Sequence, residues 1–101
     1  MTMKLRTDVP PTLRLYIAGD GPAMQAALEC REKLLEFSDQ KIDIAVIDIL
    51  ATPQAAQSAG VLATPTLSDD TRSPPRRLVG DLSALDRIVE HFDLQGTGTI
   101  S

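Results

Sequence analysis

The sequence predicts a mixed α/β domain with the element order β-α-β-α-β-β-α, and three kinds of pattern lead to this prediction. Short runs of aliphatic and β-branched residues, typical of strands, occur at residues 13–17 and 42–49 and more briefly near residues 66 and 78. Segments in which apolar residues recur with the period of a helix follow the first of these runs and occur again after the last one. Proline and glycine stand between these segments, where turns and helix starts are expected.

The composition is that of a single soluble domain. The 101 residues are 43% hydrophobic and 24% charged, and a chain of this length buries about two-thirds of its unfolded surface. No apolar run approaches the ~20 residues that cross a bilayer, and the N-terminal residues lack the apolar stretch of a signal peptide. We therefore expect a cytoplasmic protein with no membrane partner.

Charge and cysteine content narrow the possible functions. A net charge of −4 disfavours nucleic acid as a partner, because the phosphate backbone attracts clustered lysine and arginine. Cys30 is the only cysteine, which excludes an internal disulfide and a cysteine-based metal cluster. His91 is the only histidine, and a lone histidine near a helix C-terminus is rarely a metal ligand. No metal or other cofactor is expected.

The first half of the chain reads as a strand, a helix and a second strand. Residues 13–17 (LRLYI) alternate in polarity, and a glycine-containing turn then leads to Pro22, which suits the first position of a helix. Arg31 lies on the apolar stripe of that helix. Its guanidinium is therefore expected either to pair with an acidic side chain or to lie at a boundary of the packed face. Residues 42–49 form the next strand, in which Val46 and Ile47 are expected to be buried on both sides. A right-handed crossover makes the two strands parallel.

A short second helix follows. Thr52 and Pro53 match an N-cap and a first helical residue, and Gly60 suits the left-handed residue that ends a helix after Ala59. The proline at the start and the glycine at the end therefore bound this helix from sequence alone.

The last part of the chain predicts a hairpin and a third helix. Two short strands, near residues 66–67 and 76–79, are joined by a polar turn and are expected to lie toward the edge of the sheet. Ser83 and Asp86 have the spacing of an N-cap pair for the last helix. The predicted core is aliphatic and consists of Leu15, Ile17, Ala27, Leu28, Leu34, Ile44, Val46, Ile47, Leu67, Leu78, Leu85, Ile88, Val89 and Phe92.

This order of elements is the thioredoxin-like arrangement, but the redox chemistry is missing. A redox thioredoxin carries a thiol pair where the first strand meets the first helix, because the helix N-terminus activates the attacking thiolate. Here residues 19–22 read GDGP, and Cys30 is expected to be a small buried hydrophobic residue. The scaffold therefore favours binding over catalysis, and we expect no enzyme activity.

Four segments carry a family resemblance. They are residues 13–19 (LRLYIAG) with Pro22, residues 46–50 (VIDIL) with residues 53–54 (PQ), residues 62–67 (LATPTL) and residues 76–83 (RRLVGDLS). In their order and spacing they resemble the KaiB family, whose members are small circadian-clock proteins of cyanobacteria with relatives in other bacteria. The resemblance covers residues 13–92 and implies a KaiB-like domain over residues 13–93, with flexible segments at residues 1–12 and 94–101.

The resemblance implies a partner and a conformational change. KaiB proteins are non-enzymatic partners of a hexameric KaiC-type ATPase and dock on its N-terminal ATPase ring. They rest as a homotetramer whose C-terminal half has an alternative fold, with the order β-α-β-β-α-α-β, and rearrange to the thioredoxin-like form to bind. The residues expected to take part in this switch or to shape its turns are Pro65, Pro74, Pro75, Gly80 and Asp81, and a cis Thr64–Pro65 bond is expected in the thioredoxin-like form.

The first helix, the turn before it and the second strand are the expected partner-binding region. The candidate contact residues are Gly19, Asp20, Pro22, Ala23, Ala26, Ala27, Ile42, Asp43 and Ala45. Clock KaiB proteins carry a basic residue near the position of Ala45, and many have an acidic tail where this chain has residues 96–99 (GTGT). The first departure argues against a KaiA-type partner, and the second means that tail-mediated behaviour is not expected here.

Three interpretations of function remain open. The first is a KaiB-like regulator of a KaiC-type hexamer. The second is a thioredoxin-like sensor module of a clock-linked histidine kinase pathway, which keeps one fold. The third is a thiol or peroxide enzyme, which would need a nucleophile that the helix start lacks. Arg76 and Arg77 are likewise open, since they suit either an acidic partner surface or the protection of a strand edge.

Overall fold

The computed structural model describes residues 12–39, 41–61, 63–80 and 82–94, and it confirms the predicted order of elements. The strands are β1 (Thr12–Ile17), β2 (Asp43–Asp48), β3 (Thr66–Asp69) and β4 (Arg76–Val79). The helices are α1 (Pro22–Phe37), α2 (Pro53–Ala59) and α3 (Leu85–Phe92). No helix within the described ranges is long and apolar enough to cross a membrane.

The four strands form one mixed sheet in the order β2-β1-β3-β4. β1 pairs in parallel with β2, as the crossover predicts, and antiparallel with β3, which forms the hairpin with β4. In this register Leu15 of β1 lies opposite Val46 on one side and Leu67 on the other. The hairpin forms one side of the sheet, with β4 at the edge and β3 next to it, in agreement with the expectation that both strands lie toward the edge.

Helices cover the two faces of the sheet unequally. The odd-numbered residues of β1 join the main core with the buried residues of α1 and α3. Arg14 and Tyr16 point to the other face, where they line a groove together with residues of α2. Because α2 has only seven residues, it covers a smaller part of its face than α1 and α3 cover of theirs.

Most of the predicted core is confirmed, and one residue is clearly wrong. The buried members are Leu15, Ile17, Ala27, Leu34, Ile44, Leu67, Ile88 and Phe92, and Leu28, Leu78, Leu85 and Val89 are partly buried against them. Val46 is 41% exposed and Ile47 is half-buried, although Ile44, two residues before Val46 on the same edge strand, is 0% exposed. Cys30 is buried, as expected. Hydrophobic residues that are buried although the predicted core omitted them are Leu13, Tyr16, Ile42, Ala56, Leu82 and Leu94.

The proline and glycine signals located the helix ends well. Pro22 and Pro53 are the first residues of their helices, Thr52 is the N-cap of α2, and Gly60 ends α2 with φ of 73°. Ser83 was wrong as the N-cap of α3, since Ala84 holds that position and Ile88 N donates to its carbonyl at 3.2 Å. Burial of Leu82 in the core sets the path by which the chain enters α3.

Among the described residues, two bonds that precede a proline are cis. The Thr64–Pro65 bond is cis, as expected, and Ser73–Pro74 is cis as well.

Several predicted positions lie outside the described ranges or at their limits. Asp81 lies outside the described residues, as do residues 1–11 and 95–101 of the two expected terminal segments. Thr12 begins β1, and Leu94 is buried in the core.

Candidate functional site

The turn between β1 and α1 is built from small residues and backbone hydrogen bonds. Gly19 has φ of 75°, which favours glycine, and a Cβ placed there would stand 3.5 Å from Leu50 Cδ1. Gly21 caps α1 in an extended conformation, and its carbonyl accepts hydrogen bonds from Met24 N at 3.0 Å and Gln25 N at 2.9 Å. The helix therefore begins without a side chain at its N-cap, where a redox member of this fold would need a thiolate.

Asp48, the last residue of β2, connects this turn to the loop that follows β2. Its Oδ1 accepts hydrogen bonds from Gly19 N at 3.3 Å and from Leu50 N at 3.0 Å. Ile49 N donates to Ile17 O at 2.8 Å and continues the pairing one residue past the strand. The two loops at this end of the parallel strands are thereby held side by side.

Leu50 is the most exposed large apolar residue described in the chain, with 68% of its surface accessible. Asp48 and Gly19 hold it at the tip of its loop, next to the start of α1. An exposed leucine leaves apolar surface in contact with water, and burial of that surface against a partner would be favourable. We use the name strand-end surface for Leu50 together with the exposed residues of the β1–α1 turn and of the first two turns of α1 that were predicted to bind a partner; they are Asp20, Pro22, Ala23 and Ala26.

The predicted partner-binding residues divide into exposed and buried groups. Asp20, Pro22, Ala23, Ala26, Asp43 and Ala45 are exposed and Gly19 is half-buried, so all seven are accessible. Ala27 is 1% exposed and Ile42 is 7% exposed, and both pack in the core. Those two cannot contact a partner in this conformation, because Ala27 lies on the sheet-facing stripe of α1 and Ile42 enters the core just before β2.

Sequence reasoning missed Leu50 and misplaced Val46. Both residues are large, apolar and exposed, and Val46 lies on the edge strand β2. A leucine between a strand and the proline of the next helix was the available signal for Leu50, since such a position is a loop. No local signal distinguishes Val46 from Ile44, which lies on the same strand and is 0% exposed.

Arg31 has an intramolecular role at that same edge. Its Nε donates to Ile44 O at 2.8 Å and its Nη1 lies 3.0 Å from Glu32 Oε2. The guanidinium thus donates a hydrogen bond to a backbone carbonyl on the unpaired side of the edge strand. A side chain that covers such a group helps to protect the strand edge from pairing with another chain. The acidic partner expected for Arg31 is its neighbour Glu32.

The described residues hold no reactive thiol at the helix start. Cys30 lies in the third turn of α1, is buried, and burial raises the pKa of its thiol. A protonated, enclosed thiol is a poor nucleophile. No cluster of three or more metal-ligating side chains occurs in the described ranges. His91 Nε2 lies 2.7 Å from Arg77 O, so its ring is hydrogen-bonded to the backbone of the second edge strand, β4.

The residues expected in the switch lie around one loop and one turn. Pro65 is buried, and its carbonyl accepts a hydrogen bond from Gly80 N at 3.0 Å, where Gly80 has φ of 95°. The loop before β3 and the turn after β4 are therefore joined. Pro74 and Pro75 are exposed in the β3–β4 turn.

The two arginines of β4 make intramolecular contacts. Arg76 Nη1 donates to His91 O at 3.1 Å. Arg77 donates to the carbonyls of Ala59 and Gly60 at the end of α2, with 3.4 Å to Gly60. These contacts are with helix-end carbonyls, a role that neither of the two interpretations left open for this pair had given them.

Comparison with known proteins identifies close relatives by sequence. A family profile described as the KaiB domain matches residues 14–93. The chain is 41% identical over 83 residues to the circadian clock oscillator protein KaiB of Parasynechococcus marenigrum (strain WH8102), an alignment that covers 81% of this chain and 80% of the relative. It is 42% identical over 83 residues to the protein of the same description from Nostoc sp. (strain PCC 7120), with coverages of 81% and 77%.

Solved structures share the fold at lower identity. The N-terminal domain of Synechococcus elongatus SasA superposes with a TM-score of 0.65 at 21% identity and covers 90% of each chain. Chloroplastic thioredoxin z gives a TM-score of 0.61 at 16% identity and covers 91% of this chain and 90% of its own. At these identities the likeness shows the fold alone, and it confirms the expected thioredoxin-like arrangement.

Proposed function

The chain belongs to the KaiB family, and from this membership we propose that it is a non-enzymatic regulator that binds the N-terminal ATPase ring of a KaiC-type hexamer. Binding modulates the phosphorylation and ATPase cycle of that hexamer, as part of a circadian clock or a clock-like timer in the cytoplasm. The partner is a protein surface, and no cofactor, nucleic acid or membrane takes part.

The observation that carries this proposal is the junction of β1 and α1. In a thioredoxin-like fold this junction is the place for redox chemistry, but here residues 19–22 hold glycine, aspartate and proline, and the thiol of Cys30 is buried. In place of a nucleophile the same end of the sheet presents the strand-end surface with Leu50 at its tip. An ordered apolar tip beside small alanine side chains supports binding to another protein.

Gel filtration with a KaiC-type hexamer from the same source and ATP tests the binding. We expect the wild-type chain to elute with the hexamer and Leu50→Ser to do so at least tenfold more weakly, because the variant removes the large apolar contact. Val79→Ser is the matched control, since Val79 is also a large exposed apolar residue, at 54%, but lies on β4 at the other edge of the sheet. The tenfold figure corresponds to roughly 1.4 kcal/mol, about what burying such a side chain contributes. Equal losses in both variants, or no complex with the wild-type chain, would refute this assignment.

We also propose that the thioredoxin-like form is the binding-competent state and that the protein rests as a homotetramer with the order β-α-β-β-α-α-β. Short elements in the second half support a change there, since β3 and β4 have four residues each and α2 has seven. Two packings of one chain coexist only when their free energies differ by a few kcal/mol, and short elements keep that difference small.

Light scattering over a concentration series and two-dimensional NMR test the rearrangement. The proposal predicts a tetramer that yields monomer on dilution, with two sets of amide peaks for residues 63–94. A monomer with a single, temperature-insensitive set of peaks favours the alternative, a sensor module with one fold in a clock-linked histidine kinase pathway.

A further inference from the structure

A groove runs across the face of the sheet that α2 only partly covers. Its volume is about 370 Å³, and it lies between α2 and the β3–β4 turn. Apolar walls come from Ile47, Ala55 and Pro75, and the polar groups are Arg14, Asp70 and Arg77 above the buried ring of Tyr16. None of these residues belongs to the strand-end surface.

Asp70 is the centre of the polar network in this groove. Its Oδ1 accepts hydrogen bonds from Ser68 Oγ at 2.6 Å and Arg77 Nη2 at 3.4 Å, and its Oδ2 accepts one from Tyr16 Oη at 3.0 Å. Burial by itself raises the pKa of Asp70, but these three donors outweigh it and hold the pKa below its usual value. The carboxylate is therefore ionised at neutral pH.

The two arginines beside Asp70 differ in how firmly they are held. Arg77 donates to Ser68 Oγ at 3.0 Å and to both carbonyls at the end of α2, in addition to Asp70. Arg14 lies 3.6 Å from Asp70 Oδ2, its side chain is 52% exposed, and a hydrogen bond with Tyr16 raises its pKa. A guanidinium has five N–H donors, so Arg14 keeps donors that point toward solvent at the mouth of the groove.

Exchange of the Arg14 partner costs little free energy. The ion pair is 3.6 Å long and its Arg14 side chain is 52% exposed, although that of Asp70 is only 20% exposed. A pair with one partner in solvent contributes about 1 kcal/mol, and Asp70 keeps the donors Ser68, Tyr16 and Arg77 when Arg14 turns away. The groove itself carries two guanidinium groups and one carboxylate, a local excess of positive charge on a protein whose net charge is −4. Charge and shape together fit a carboxylate that is flanked by apolar groups.

We propose that this groove is a second protein-binding site, which takes an acidic peptide segment with its carboxylate on Arg14 and its apolar neighbours against Ile47, Ala55 and Pro75. Asp70 sets the affinity, because it is the internal carboxylate with which the peptide competes for Arg14. The site goes beyond the proposed binding to an ATPase ring, since the strand-end surface and the groove share no residue.

NMR titration of the full chain with a defined probe tests the site. The probe is an acetylated and amidated pentapeptide, Ala-Leu-Glu-Leu-Ala, with its single carboxylate; the matched peptide has glutamine in place of glutamate. We expect saturable shifts in amides of β1, α2 and residues 70–77, and about fivefold weaker binding of the glutamine peptide, as for one exposed charge pair.

Two variants with opposite expected effects separate this site from general attraction to positive charge. Arg14→Gln should weaken binding of the glutamate peptide about fivefold, and Asp70→Asn should strengthen it about threefold or more, because it removes the competing charge. Arg87→Gln is the control, since Arg87 is an exposed arginine on α3 on the opposite face, and it should change nothing.

Three outcomes would overturn the site: equal binding of both peptides, Arg14→Gln with wild-type affinity, or shifts spread evenly over the surface. If Asp70→Asn does not fold, Arg14→Glu takes its place and should abolish binding of the glutamate peptide. Gel filtration of Arg14→Gln with the KaiC-type hexamer should show wild-type binding, so failure of this site and failure of the proposed function are distinguishable.

Discussion

Removal of the Asp48 carboxylate should loosen the strand-end surface and lower the stability of the whole domain. Asp48→Ala deletes the acceptor of two backbone amides, Gly19 N at 3.3 Å and Leu50 N at 3.0 Å. Each such hydrogen bond contributes about 0.5–1.5 kcal/mol net, and both lie near the surface, so the expected loss is about 1–2 kcal/mol. For a domain of this size that corresponds to a decrease in Tm of roughly 5–10 °C.

Urea unfolding measures the stability and amide hydrogen exchange measures the local effect. The Leu50 amide should exchange faster in Asp48→Ala, because its hydrogen bond is gone, while amides inside β1 should change only through the global loss of stability. Binding to the KaiC-type hexamer should weaken in parallel, since a mobile Leu50 must be ordered again on docking.

Asp48→Asn is the matched control for this experiment. Asparagine keeps a side-chain oxygen in the position of Oδ1, so Gly19 N and Leu50 N retain their acceptor and the stability should stay within about 0.5 kcal/mol of wild type. The reasoning is refuted if Asp48→Ala is as stable as wild type, or if the Leu50 amide is unprotected in the wild-type chain.

Further predictions concern acid stability, the core and the thiol. Burial by itself raises the pKa of Asp69 and of Asp70, but hydrogen bonds from their neighbours outweigh it, and both pKa values are lowered in the folded protein. The two carboxylates therefore stabilise the fold above about pH 4, and this stabilisation is lost as the pH falls through the lower pKa values of the folded state. Urea unfolding from pH 6 downward should show this loss, with a smaller slope in Asp70→Asn, and a flat profile below about pH 4 would contradict it. Leu34→Ala, at a position 1% exposed, should lower the free energy of unfolding by about 2–5 kcal/mol, whereas exposed Gln25→Ala should change it little. Iodoacetamide should modify Cys30 slowly in the native protein and rapidly in urea, as followed by mass spectrometry; equal rates would mean that the thiol is accessible in the fold.

Local sequence patterns predicted where the helices and strands lie, because the formation of these elements depends largely on residues that are close along the chain. Pro22 and Pro53 start helices since a missing N–H costs nothing at the first position, and Gly60 ends one since glycine readily takes a positive φ. Ser83 shows the limit of this reasoning. An N-cap signal locates a helix start only to within one or two residues, and here the N-cap is Ala84.

Burial could not be read from those patterns alone. Val46 has the residue type and spacing of a core strand and follows Ile44 by two residues; Ile44 is 0% exposed, yet Val46 is 41% exposed. Ala27 and Ile42 were assigned to a binding surface by position in a family pattern, yet both face inward. Which positions are covered depends on how the helices and the sheet pack against each other, and that packing is a property of the assembled fold.

Composition and periodicity thus established the α/β class and the order of its elements, and four motifs established the family. Only the folded chain placed Leu50 at the tip of an ordered loop and brought Arg14, Asp70 and Arg77 from separate strands and turns to one groove. The physical reason is that periodicity reports interactions between residues close along the chain, whereas a binding surface is made by residues that meet only when strands pair.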